Sequence, residues 1–218
     1  MPTSVRRVLL FAPPALFSIV NYRHPILTAP IYCSVSPHLS WWSTLHLLNL
    51  GLFALLGLAV YLLLGGVHNA AANLSRVALA VFAPLYCAFD ALAGLGTGLL
   101  AHLASQLARR DRGRGHLPRR RMARAHLFTG AGGMSATPAR WLTTLASGLV
   151  MLVIAKPGVV TALLTLAALL FGAAHVPPTG PLGALCFLAA AVLLELDLAR
   201  PLASRCSEGH PSRLEAPA

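Results

Sequence analysis

The chain has little charge and very little acid. Only 11% of its 218 residues are charged, and six Asp and Glu stand against seventeen Lys and Arg. Soluble domains carry about 25% charged residues, so this composition is built for lipid rather than for water. Cysteine is also scarce. Cys33, Cys87, Cys186 and Cys206 form no C-x-x-C pair, which excludes a disulfide framework or a zinc site. Cys87 and Cys186 lie inside apolar runs and read as small packing residues. The motifs of common chemistries are missing too. There is no H-E-x-x-H, and no Ser-His-Asp set in a recognisable context. Gly130-Ala131-Gly132-Gly133 lacks the Lys-Ser/Thr of a phosphate loop. Gly94-x-Gly96-x-Gly98 sits within an apolar helix rather than after a strand, so it is not a dinucleotide fingerprint. An enzyme is not indicated, and no cofactor is favoured.

Long apolar runs fill the space that charge leaves. Hydrophobic residues make up 56% of the chain, and the mean hydropathy is +0.70. The run Val77 to Leu103 contains no Lys or Arg and carries one carboxylate, Asp90, at its middle. A central Asp costs about 2.5–3.5 kcal/mol on insertion, whereas each Leu, Phe or Val returns about 0.3–0.6. Eleven such residues in the run outweigh it, so the helix inserts with its carboxylate. The sequence predicts an all-α polytopic bundle of about six transmembrane helices. The spans fall near residues 8–20, 39–64, 77–103, 141–155, 159–175 and 182–199. The first is marginal: thirteen apolar residues interrupted by Pro13-Pro14 reach only about 20 Å as helix. Its Arg6-Arg7 start resembles a signal peptide without a convincing cleavage site.

Between the third and fourth spans lies a basic loop, residues 104–140, followed much later by a tail, 200–218, that reads as disordered. Nine of the sixteen arginines fall between Arg109 and Arg140. They suit attraction to anionic lipid headgroups or a plain solvated loop, and no nucleic acid is expected. The loop's abrupt change of composition suggests an insertion or a local reading-frame change. It also leaves orientation open, because the positive-inside count reverses when the loop is removed. The expected partner is the lipid bilayer and the expected place the cell membrane.

Helix parity then brings polar groups together. The second, third and fifth spans meet one face with His46, His102 and His175, and His24 and His38 lie in the adjoining loop. Trp42, His46 and Asn49 share one face of their helix; Tyr86, Asp90 and Thr97 share one face of the next, where Gly94 and Gly98 permit close approach. An ionisable residue inside the membrane is a functional candidate, and its partner here is His46. The candidate site is therefore Asp90, His46, Asn49, Tyr86, His102 and His175. Three readings compete. The pair fixes helix register, it carries protons or a solute, or His46 ligates haem or metal with His175 or His102.

The blocks WWSTLHLLNL, SRVALAVFAPLYCAFDALAGLGTGLL and HVPPTGPLGALCFLAAAVLLEL together resemble a group of uncharacterised bacterial multi-pass integral membrane proteins. That group has no established activity, so the resemblance implies an architecture and no mechanism. The expected function is a small transporter, channel-like or sensor protein using the Asp/His pair. A non-catalytic scaffold and a haem- or metal-binding redox protein are the alternatives.

Overall fold

A computed structural model describes residues 1–28, 31–113, 158–173 and 176–196. Among these the chain is all-helical, with no strand. Helix α1 runs Thr3–Asn21 straight through Pro13-Pro14, so the first apolar segment is longer than its uninterrupted run suggests. Its buried residues, Leu10, Pro13, Pro14, Phe17, Ser18 and Asn21, repeat at helical spacing. The two rings therefore lie on the packed stripe, not on the exposed side. A short helix α2 (Ile31–Val35) and a 3₁₀ turn (Ser36–His38) lead without a break into α3 (Leu39–Leu63). Helix α4 (Ala70–Phe89) is opened by Asn69, whose side chain accepts the Ala72 N–H at 2.8 Å. A π turn (Asp90–Leu95) joins it to α5 (Gly96–Gly113).

Several boundaries differ from the expectation: α4 starts at Ala70, seven residues before the predicted Val77, because Asn69 caps it. Residues 104–113, assigned to the basic loop, continue α5, because Leu103-Ala104-Ser105-Gln106-Leu107-Ala108 holds no helix breaker. At the other end, α7 starts at Thr179 rather than Leu182 and stops at Glu195. Helix α6 spans Val159–Ala173 and α7 Thr179–Glu195. The predicted fourth span 141–155 and the tail 200–218 lie outside the described residues.

Three helical stretches are long and apolar enough to cross a membrane: Thr3–Asn21, Ile31–Leu63 and Ala72–Arg110. Helices α6 and α7 are apolar but shorter. The count of six spans is thus not reached among the described residues.

Side-chain bonds fix the direction of each helix. At one end, Arg6 Nε meets Glu195 Oε2 at 3.0 Å and its Nη1 donates to Leu62 O at 3.0 Å. Arg76 on α4 donates to Leu64 O and Val67 O at that end. At the opposite end, Ser18 Oγ lies 3.0 Å from Pro181 O, and Asn21 pairs with Asn49. Helix α1 is therefore antiparallel to both α3 and α7. Helix α6 is antiparallel to α7, since Val160 and Leu164 pack with Ala190, Leu193 and Leu194. Their backbones approach closely at Gly183, where a Cβ would stand 3.0 Å from Ala167 O and Phe171 N.

Candidate functional site

The site is built on one face of α3. Trp42, His46 and Asn49 are all buried there, spaced so that they stack along the helix. Opposite them the π turn places Asp90, which is 1% exposed. His46 Nδ1 and Asp90 Oδ1 are 2.7 Å apart, with both side chains buried. Such a pair has two arrangements: Nδ1–H donates to a carboxylate, or the carboxylic acid donates to a neutral imidazole. A buried site disfavours net charge, so one proton between the two groups is the economical state.

The π turn makes this contact possible. The wider helical turn brings Gly94 against the imidazole, where a Cβ would clash with the ring, its Cε1 only 2.8 Å away. The turn also has a carbonyl to offer: Trp42 Nε1 donates to Gly94 O at 2.7 Å. π turns recur at functional sites because they re-aim side chains in this way. One turn on, Gly98 lets the Trp42 indole approach to within 2.9 Å of where its Cβ would be.

A second histidine completes the group. His24 follows α1 and is 5% exposed, its ring centroid 5.4 Å from that of His46 and 5.3 Å from that of Trp42. Trp42 and His46 centroids are 4.4 Å apart. His24 Nδ1–H donates to Pro25 O at 2.8 Å, which leaves Nε2 as the basic nitrogen of the neutral ring. Burial lowers its pKa to about 4, against the Pro25 hydrogen bond, which raises it; the neighbouring His46 lowers it further. His24 therefore stays neutral at physiological pH.

Deeper in the bundle the polar chain ends. Asn21 and Asn49 exchange side-chain amide bonds, Nδ2 to Oδ1, at 2.8 and 3.0 Å. Asn21 Nδ2 also donates to Phe17 O. Beyond them Phe17, Phe53, Phe82, Tyr86, Phe89 and Phe171 form a continuous aromatic cluster, with ring centroids 4.2–6.3 Å apart. This is where Tyr86 is found, packed among phenyl rings, at 3% exposure.

His46, Asp90 and Asn49 thus share one buried region, and Tyr86 lines its inner boundary. His102 does not join them: it is exposed on α5, its Nε2 2.9 Å from Gln106 Nε2. His38 is likewise exposed, and His175 lies outside the described residues. Among the described residues no three His, Cys, Asp or Glu are grouped to hold a metal ion. Sequence reasoning missed Asn21, the amide partner of Asn49, and the π turn. Asn21 is a polar residue at the end of an apolar run and could have been noticed; nothing in DALAGL announces a π turn.

No family model, curated protein or solved structure matches this chain.

Proposed function

We propose that this chain is a proton-coupled multi-pass protein of the cell membrane, a small transporter or sensor in which His46 and Asp90 hold the working proton. One observation carries the reading. His46 Nε2 and Asp90 Oδ2 are both buried and have no hydrogen-bond partner among the described residues. Bare buried atoms of this kind cost about 1–3 kcal/mol each, so both stand open to a water or to an incoming proton rather than to another side chain. A pair that takes up and releases a proton needs them uncommitted. His24 supports a route inward from the α1 C-terminal end, giving the order His24, His46, Asp90. The aromatic cluster closes the other direction, which favours a gated or sensing device over an open channel.

The helix directions support a sixth span. Helix α5 ends on the face opposite to the one where α6 begins, which is the arrangement a further span between them would give. Trp141 to Ala155 is the apolar run available for it.

Purified protein in proteoliposomes tests the function. An imposed pH gradient should drive proton flux, or change the fluorescence of the protein's tryptophans. Asp90→Asn should reduce either response at least tenfold while keeping the thermal transition. An unchanged response in Asp90→Asn removes the reading. The register-fixing role has its own test: if Asp90→Leu is as heat-stable as the parent, the pair does not hold the helices either.

A further inference from the structure

An open groove of about 790 Å³ runs along the outside of the bundle between α1 and α7. Its walls are apolar: Ala15, Ile19 and Val20 from α1 face Leu182 and Leu185 from α7. Ile19 is 70% exposed, and Leu182 and Leu185 are nearly half exposed. The two helices touch beneath it, where Ser18 Oγ meets Pro181 O. The groove therefore has a floor, and is not merely a gap.

One end of the groove is chemically different. Tyr22, Arg23 and Trp41 form its rim at the C-terminal end of α1. Trp41 Nε1 donates to Arg23 O at 3.0 Å, which ties the residue to the start of α3. The Arg23 side chain is exposed and forms no ion pair with an acid among the described residues. Tyr and Trp at the end of an apolar trough mark the level where hydrocarbon meets headgroups. A guanidinium there offers a bidentate site for phosphate.

We propose that this groove binds an anionic membrane phospholipid, with an acyl chain between α1 and α7 and the phosphate on Arg23. The charge at the rim selects the occupant. A zwitterionic lipid would gain the same apolar burial and also has a phosphate. Its own ammonium cancels the net charge and competes with Arg23 for that phosphate, so its attraction is weaker. A soluble anion would gain the attraction without the burial. The inference requires only that the helices lie in a membrane. It does not depend on proton coupling, since Asp90 and His46 take no part.

The test uses the full chain in mild detergent. Thermal unfolding is followed with added phosphatidylglycerol, phosphatidylcholine or glycerol 3-phosphate, and lipid retention is counted by native mass spectrometry. Phosphatidylglycerol should stabilise and be retained over phosphatidylcholine by about fivefold, the worth of one interfacial basic residue. Arg23→Gln should abolish that preference. Leu182→Trp, which fills the trough, should reduce retention of both lipids. Equal retention of both lipids by the wild type overturns the proposal, as does a preference that survives in Arg23→Gln, which would place the lipid on other arginines. Stabilisation by glycerol 3-phosphate alone overturns it too, because the acyl chain would then be irrelevant. An Asp90→Asn variant should retain lipid as the wild type does, so failure of the proton reading leaves this result readable.

Discussion

The residue on which the site depends most sharply is a glycine. A Cβ at Gly94 would fall on the His46 ring, so Gly94→Ala must either push the imidazole off Asp90 or unwind the π turn. Overpacking of this kind costs about 1–3 kcal/mol. The control is Gly51→Ala on α3, where a Cβ meets nothing within 4 Å and helix propensity alone should add about 0.5–1 kcal/mol. Thermal unfolding in detergent should move in opposite directions for the two. His24 makes a prediction about pH. Its pKa is about 4 in the folded chain against 6.5 in a model peptide, so between those values the unfolded state binds more protons. Stability should therefore be complete above pH 6.5 and fall as pH drops toward 4, by up to about 3 kcal/mol. His24→Gln removes this term, and the difference between the two pH profiles measures it. If the profiles coincide, the folded pKa of His24 is not depressed.

At the level of elements, the Ala72–Arg110 stretch is two α-helices joined by the π turn. What holds the turn is the indole of Trp42, bound to Gly94 O. Trp42→Phe keeps the aromatic body and loses the donor to Gly94 O, at a cost of about 1 kcal/mol for the buried hydrogen bond. If the turn then reverts to regular α-helix, every side chain beyond it rotates relative to α4, and the clearance at Gly94 that seats the His46 ring beside Asp90 is lost. The measurable result is a lower thermal transition together with loss of the proton response; a lower transition with the response intact would show that the turn and the pair are separate. Helix α1 teaches a different lesson. Pro13 and Pro14 do not end it: the helix runs on to Asn21 with both rings buried on its packed stripe, so tertiary packing offsets the backbone bonds that two prolines cannot make. Nearby, the Ser18 hydroxyl lies 2.9 Å from Pro14 O.

For the whole molecule, the bundle is closed at one end by charge and at the other by amides. Arg6 links α1 to Glu195 of α7 and to the last turn of α3. The Arg6 side chain is 31% exposed and that of Glu195 11%, so solvent screens the ion pair only in part, and Glu195→Gln should cost about 1–2 kcal/mol. Raising the salt concentration should narrow the gap between variant and parent. Parity gives the larger prediction. Single cysteines at Arg109→Cys and Val159→Cys should react with an impermeant thiol reagent from opposite sides of the membrane. Labelling from the same side would exclude a crossing between them.

The sequence alone determined that this chain is helical and suited to lipid, because apolar runs with so few charges have no other stable home. It also made the His46–Asp90 contact legible: alternating helix direction puts both residues in line below one face on adjoining helices, with Asp90 the deeper, and a lone carboxylate in an apolar run requires company. The tertiary structure decided what surrounds them. It brought His24 in and left His102 on the surface, since helix rotation about its own axis is set by packing and not by depth. It moved Tyr86 into an aromatic seal for the same reason. The π turn, the clearance at Gly94 and the Asn21–Asn49 exchange all depend on which faces meet at close range, and a pattern of hydropathy along one chain does not encode that.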